Sequence, residues 1–410
     1  MTIAAVPALA GAGPTIDEAA LCLDPVDFYG YRELLSADEN ARLAQLRGFL
    51  EAEVAPIADD FWERAESPRH IFRPLADLGI YGAGFPEVAK FENSALFRGW
   101  VSYEIARVDS SVATMAGVHC GLAMTSVAIG GSDEKRADLL PRMARGEIVG
   151  AFGLTEPFSG SDTARGLRTT ARRDGDEWVL DGAKRWIGNA TFADIVVIWA
   201  RDVADGNVKG FLVAGGTPGF TATKIERKQS LRAVENADIV LNGVRVPESS
   251  RLARVRSFRE VAQILRRTRS DVAWQALGNG VGAYEAAAAY ARSREQFGRP
   301  IGSYQLVQSK LVTSLTEITA SIALCTRTAQ LQDVDRLTDE QSAMAKATVS
   351  ERMRRVVALC REVLGGNGIQ LDYGVARRFA DAEAIYTYEG THDMNTLIVG
   401  RGITGIPAFA

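Results

Sequence analysis

A chain of 410 residues with 47% hydrophobic side chains can bury a sizeable core and has room for two or three domains. Its 47 basic and 51 acidic residues leave a formal charge of -4 and are interspersed, with no like-charge block of the kind that forms a nucleic-acid-binding arm. The chain reads as globular, and nucleic acid is excluded as its partner.

The four cysteines, Cys22, Cys120, Cys325 and Cys360, are far apart, form no CxxC pair and lie in helical contexts, which reads as buried free thiols in a reducing compartment. None of the three histidines, His70, His119 and His392, has a partner at ligand spacing, so no metal site is expected. The opening "MTIAAVPALAGAGPT" is apolar but lacks a basic stretch and holds two prolines, so residues 1–26 read as a flexible tail rather than a signal peptide. No run approaches the roughly 18 apolar residues that span a bilayer. The expectation is a cytoplasmic protein with no membrane contact.

Residues 27–149 carry a helical period. Ser36 with Glu39 predicts a capping box, Leu43, Leu46, Phe49, Leu50 and Val54 follow on one face, and Pro56 interrupts them. "DLGIYGAGFPE" is a glycine-punctuated connection between this helix and two more, "SALFRGWVSYEIARV" and "VHCGLAMTSVAI". Over 150–255 the period changes: "EWVLDGAKRWIGN", "ADIVVIWAR", "KGFLVAG" and "ADIVLNGVRVP" are short, rich in β-branched and aromatic residues, and predict a small, mostly antiparallel sheet. Over 256–410 the helical period returns, with Val307, Leu311, Leu315, Ile318, Ile322 and Cys325 on one helix. A second helix, capped by Thr338 with Gln341, carries Ala345, Val349, Met353, Val356 and Cys360. The order helices, strands, helices predicts an α+β fold in which a β-domain is inserted between an N-terminal helical domain and a C-terminal bundle.

Five segments can carry chemistry, and each has a plainer alternative. "AFGLTEPFSGSD" offers the hydroxyls and free N–H groups of Thr155, Ser159, Gly160 and Ser161 to a nucleotide, or is a polar turn opening the β-domain. "KRWIGNA" sets Trp186 beside Gly188, where a flat ring can approach the backbone, or simply buries a strand tryptophan. In "ARSREQFGRPIGSYQLVQSKL", Arg294 suits a pyrophosphate and Phe297 an adenine, or the arginines offset a helix dipole before a new helix near Ser303. "LGGNGIQ" stops a helix and exposes backbone; it is not the glycine fingerprint of a Rossmann site. In "IYTYEGTHDMNT", Glu389 is either an acid near a helix start at about Thr391 or a base, desolvated by Tyr386 and Tyr388 from its ordinary pKa of about 4.3.

In this order and spacing the turn "LTEPFSGSD", the strand "KRWIGN", the turn "REQFGRPI", "LGGNGI" and "YEGT" resemble the acyl-CoA dehydrogenase family from about residue 35 to the C-terminus. The chain looks most similar to the glutaryl-CoA dehydrogenase and plant short-chain acyl-CoA oxidase branch, through "KRWIGNATFADIVVIWAR" and "YTYEGTHDMNTLIVGRGITGIPAF". The resemblance implies an N-terminal helical domain, a middle β-domain and a C-terminal four-helix bundle, with FAD as cofactor. It implies Glu389 as the base that takes the pro-R α-proton while the β-hydrogen leaves as hydride to the flavin. The thioester carbonyl would accept from the Glu389 N–H and a ribityl hydroxyl.

By the same resemblance Phe152, Leu154, Thr155, Trp186, Ile187 and Gly188 flank the flavin, and Ser161, Arg269, Tyr388 and Gly390 face the acyl-CoA. Arg294, Gln296, Phe297, Ile301, Gln305, Glu362 and Gly366 would hold the adenine and pyrophosphate of a neighbouring subunit's FAD, with Thr391 and Asp393 touching the dinucleotide. That implies a homo-oligomer, tetramer or dimer, with shared FAD sites and an electron-transfer flavoprotein as acceptor. Two positions depart from the pattern. Ala113 stands where glutaryl-CoA dehydrogenases place an arginine for the distal carboxylate, so a free carboxylate there would go unpaired at a cost of several kcal/mol. Gly188 stands where most dehydrogenases have threonine and plant short-chain oxidases have glycine, so reoxidation by O2 is the alternative; a flavin-binding protein kept for assembly is a third.

Overall fold

The computed structural model describes Val26–Ala408; the expected tail, apart from Val26, and Cys22 lie outside those residues. Helix α1 (Ala37–Phe49) starts at the predicted capping box. Ser36 Oγ accepts from the Glu39 N–H at 3.2 Å, and Glu39 Oε2 accepts from the Ser36 N–H at 2.9 Å. Pro56 does not end the helical path. Lacking an N–H, it is accommodated by a π turn at Leu50–Val54 and a 3-10 turn at Ala55–Ile57 before α2 (Ala58–Arg64). α3 (Phe72–Asp77) and α4 (Ala95–Val108) lie either side of the glycine-punctuated connection. α5 (Ser110–Ala116), a π-helical stretch Gly117–Met124 and α6 (Thr125–Gly130) then run on as one path, and α7 (Asp133–Ala144) closes the N-terminal layer.

Ser110–Gly130 corrects one expectation, because its 21 residues are long and apolar enough to cross a bilayer. In the fold this path packs on the long C-terminal helix and the first strand, with more than half of it buried. Its serines, threonines and glycines hid the length of the apolar run.

The sheet comprises β1 (Gly150–Gly153), β2 (Thr170–Asp174), β3 (Glu177–Gly188), β4 (Ile195–Asp202), β5 (Val208–Ala214), β6 (Phe220–Lys224) and β7 (Asn236–Pro247). Its order is β1-β4-β2-β3-β7-β6, with β5 also on β4. The pairings are antiparallel except that β1 and β2 run parallel to β4 at Ile195–Ile198 and Arg201–Asp202. The chain between β1 and β4, which includes the β2–β3 hairpin, supplies the long connection a parallel pair requires.

The C-terminal part is α8 (Phe258–Ser293), a hairpin of β8 (Glu295–Gln296) and β9 (Arg299–Pro300), then α9 (Gln305–Asp333), α10 (Asp339–Leu364), α11 (Ala376–Thr387) and α12 (His392–Thr404). α8 is the central member, packed on α4, α9, α10 and α11. The Thr338/Gln341 capping box forms as predicted, with bonds of 3.2 and 3.0 Å. Ile318, Ile322 and Cys325 on α9 and Val349, Met353, Val356 and Cys360 on α10 are buried, whereas Val307, Leu311 and Leu315 are only half-buried. One carboxylate joins the layers: Asp381 Oδ1 on α11 accepts from Trp62 Nε1 on α2 at 2.8 Å and from the Leu231 N–H in the loop before β7 at 2.6 Å.

Candidate active site

A cavity of about 1260 Å³ opens where the sheet meets α4, the Ser110–Gly130 path, α8 and the segment between α11 and α12. Single-ligand pockets hold about 300–1,000 Å³, so this one has room for two ligands side by side.

Its sheet wall is made by Phe152 on β1, by Leu154 and Thr155 just after it, and by Trp186, Ile187 and Gly188 at the end of β3. The register of β3 against β7 slips between Lys184 and Ile187, and Trp186 takes a positive φ of 65° at the slip. Such a bulge re-aims a side chain, and it turns the half-exposed indole towards the cavity instead of the sheet core. Asn236 Nδ2 holds the Trp186 carbonyl at 3.2 Å, and Asn189 Nδ2 holds Met115 O at 2.9 Å. Beneath the wall, buried Lys184 donates to Leu154 O at 3.2 Å and Glu156 Oε1 at 2.8 Å, while Glu156 also accepts from the Arg168 and Thr169 N–H groups. Burial against Glu156 lowers the Lys184 ammonium to about 8. This pair, which the sequence reading passed over, fixes the "LTEPF" turn. Ser161 is exposed at the cavity rim.

Glu389 lies beyond the end of α11, two residues before the N-cap Thr391, so it is not a first-turn acid of α12; Asp393 is. Glu389 has a positive φ of 53° and Gly390 one of 89°. For a residue with a Cβ this costs about 1–2 kcal/mol and survives only where the surroundings enforce it. Those surroundings are specific. Lys346 Nζ, fully buried on α10, donates to Tyr386 O at 2.7 Å and Gly390 O at 2.9 Å, and Asn395 Nδ2 donates to Gly390 O at 2.8 Å. The Tyr388 hydroxyl donates to Gln275 Oε1 at 2.7 Å, and Thr268 Oγ1 donates to Glu389 Oε2 at 3.0 Å. The Glu389 N–H finds no acceptor among the described residues.

Burial pushes the Glu389 carboxyl above its ordinary value, against the Thr268 hydrogen bond and the charges of Arg269 and Lys346. Burial likewise lowers Lys346 to about 8 and lowers the Arg269 guanidinium, whose buried Nε has no partner. Tyr388 lines the cavity but Tyr386 does not: it stacks on His392, with ring centroids 5.0 Å apart, under the Arg354 guanidinium. The expected wall of two tyrosines is thus one tyrosine. Thr268, Asp271, Gln275 and Lys346 were not singled out from the sequence. Thr268, Asp271 and Gln275 recur at helical spacing on one face of α8, and that periodicity was the available signal.

Arg294, Gln296, Phe297, Ile301, Gln305, Glu362 and Gly366 do not line this cavity. They gather around the β8–β9 hairpin, the start of α9 and the end of α10. Phe297 and Gly298 make the two-residue turn, with φ 52° and 78°, and the Phe297 ring is 95% exposed. Glu362 pairs with Lys310 at 2.7 Å. Thr391 lines the cavity, whereas Asp393 is exposed and does not.

Comparison with known proteins agrees along nearly the whole chain. Residues 36–147, 151–244 and 258–404 match the N-terminal, middle and C-terminal domain models of acyl-CoA dehydrogenase. A probable acyl-CoA dehydrogenase of Bacillus subtilis is 32% identical over 377 residues, 90% of this chain and 98% of that one. The mitochondrial short-chain specific acyl-CoA dehydrogenase of Bos taurus is 31% identical over 388 residues, 90% of this chain and 93% of that one. A glutaryl-CoA dehydrogenase from Mycobacterium smegmatis, solved in complex with FADH2, superposes with a TM-score of 0.91 at 35% identity, covering 94% of this chain and 99% of that one. The three-layer fold, the strained glutamate at the cavity and these matches together make the chain a member of the acyl-CoA dehydrogenase family, oxidoreductases acting on CH–CH groups.

Proposed function

We propose that the protein dehydrogenates a short or branched acyl-CoA, other than glutaryl-CoA, to the trans-2-enoyl thioester, using FAD and passing the electrons to an electron-transfer flavoprotein. The observation that carries the reading is Glu389: a buried carboxylate held at a positive φ, its pKa raised by burial towards the range a general base needs at neutral pH. FAD suits the residues present. Phe152, Leu154, Thr155, Trp186, Ile187 and Gly188 form a wall with no Cβ at Gly188, and the cavity has volume for a ring system and a thioester together. When bound, FAD supplies the hydride acceptor for the β-carbon.

The chain's own residues do the rest. The Glu389 carboxylate takes the α-proton on one oxygen, with Thr268 orienting Oε2. The free Glu389 N–H suits the thioester oxygen, where negative charge builds as the proton leaves. Tyr388, fixed by Gln275, and the strand wall exclude water. Glutaryl-CoA is set aside on Ala113, which lines the cavity and brings no cation to a distal carboxylate. The hairpin around Phe297 and the residues near it are read as the site for a neighbouring subunit's FAD in a dimer or tetramer.

A second reading, an oxidase reoxidised by O2, draws on Gly188 at the cavity. Anaerobic bleaching of the flavin by straight, branched and dicarboxylic acyl-CoAs identifies the substrate, and mixing the reduced enzyme with air separates the two readings: reoxidation at the turnover rate would overturn the dehydrogenase. Glu389→Gln should slow bleaching by about 10²–10⁴-fold. An unchanged rate removes Glu389 as the base, and glutaryl-CoA as the best substrate removes the argument from Ala113.

A further inference from the structure

The Ser110–Gly130 path and α8 face each other across the part of the cavity next to Glu389, and their facing residues differ sharply in size and polarity. On the first, Gly117 and Gly121 present no side chain. A Cβ at Gly117 would lie 3.0 Å from Gln275 Nε2, and one at Gly121 would lie 3.4 Å from Thr268 Cγ2 and 4.0 Å from Asp271 Oδ2. Opposite them, Thr268, Asp271 and Gln275 recur at three and four residues and therefore share one face of α8. Thr268 is bonded to Glu389 and Gln275 to Tyr388. Asp271 is the member of the stripe whose carboxyl makes no hydrogen bond or ion pair among the described residues.

The groups that face Asp271 are Arg98 on α4, Glu389, Arg267 on its own helix and the Cys120 thiol. Arg98 lines the cavity and its charge opposes the effect of burial on Asp271, but its hydrogen bonds go to Asn93, with Nη1 donating to Asn93 O at 3.3 Å and Asn93 Oδ1 at 2.8 Å. Arg267 is exposed. Burial pushes the Asp271 carboxyl up to about 7, so near neutral pH it is present both as hydrogen-bond donor and as acceptor. A plain alkyl chain filling this space would strip the carboxyl of water and give it nothing in return, a loss that sites built for a polar substituent use to reject apolar analogues.

We propose that this chamber selects acyl groups bearing a hydroxyl or amide a few carbons from the thioester, with Asp271 as the residue that binds that substituent. The assignment rests on the acyl-CoA reading above. It is tested on the FAD-loaded enzyme with 5-hydroxypentanoyl-CoA and hexanoyl-CoA, which have equal numbers of chain heavy atoms. Binding is measured by calorimetry in a Glu389→Gln background, where turnover does not interfere, and flavin bleaching is measured with Glu389 intact. The hydroxylated thioester should bind about tenfold tighter. Asp271→Val should bring the two affinities level or reverse them. Gly121→Ala, whose added methyl meets only ordinary contacts, should cover Asp271 and reduce the preference without disturbing the fold. Equal affinities in the unmodified chamber, or a hydroxyl preference that survives both substitutions, would overturn the proposal. Bleaching by neither thioester despite binding of both strikes the dehydrogenation reading instead.

Discussion

Lys346 flanks Glu389, the proposed base, without touching its carboxylate, and this predicts a particular kinetic signature. Its ammonium holds the carbonyls of Tyr386 and Gly390, and its charge lowers the Glu389 pKa against burial. In Lys346→Met that opposition is gone, so Glu389 should stay protonated to higher pH, and the acidic limb of the pH profile for flavin reduction should move up. The two carbonyls left without their donor should cost about 1–3 kcal/mol of stability. Lys346→Arg restores the charge and should bring the limb part of the way back. A limb that does not move in Lys346→Met would show that the lysine only braces the loop. Glu389 was legible as a candidate because "YEGT" follows four other segments in order; Lys346 was not, since a lone lysine among Ala345, Ala347 and Val349 looks like an ordinary helix residue until the chain brings the 386–390 segment to it.

Between elements, His119 is the joint of the N-terminal layer and the sheet. Its Nδ1 accepts from the Gly150 N–H at 3.0 Å as β1 begins, and its Nε2 faces Met143 O on α7 at 3.0 Å, so the neutral ring with the proton on Nε2 satisfies both. Burial lowers its pKa to about 4 from an unfolded value near 6.5. A base depressed on folding binds fewer protons when native, so its contribution is constant above about pH 6.5 and is lost as pH falls towards 4. The loss should reach about 3 kcal/mol. Urea midpoints at pH 7 and pH 4.5 should differ by less in His119→Gln than in the unsubstituted chain; an equal difference removes His119 as the cause. A second joint is the crossing of α4 on α8, where a Cβ at Gly278 would stand 2.2 Å from Tyr103 O. Gly278→Ala should therefore destabilise by about 1–3 kcal/mol or more, read as a lower urea midpoint. Capping boxes and strand runs were visible in the sequence because they are local. The helix crossing, the parallel pairing of β1 and β2 with β4, and the bulge at Trp186 were not, because each depends on partners distant along the chain.

At the scale of the whole molecule, apolar surface remains on and near the β8–β9 hairpin, where Phe297 is 95%, Leu306 80% and Val312 63% exposed. Residues read as holding a neighbour's dinucleotide sit in the same region. Phe297→Asp should weaken self-association and lower the FAD content together, measured by light scattering and by the flavin-to-protein absorbance ratio; loss of neither would detach this surface from the cofactor. By itself the sequence determined the order of helices, strands and helices and the places where elements start, since periodicity, capping and turn chemistry act over a few residues, and its motifs in order marked the family. Only the tertiary structure decided which of those segments share a cavity. It put Glu389 at a strained φ under Lys346, turned Tyr386 away, and set Asp271 opposite Gly121, because those outcomes depend on burial and on contacts between residues scores of positions apart.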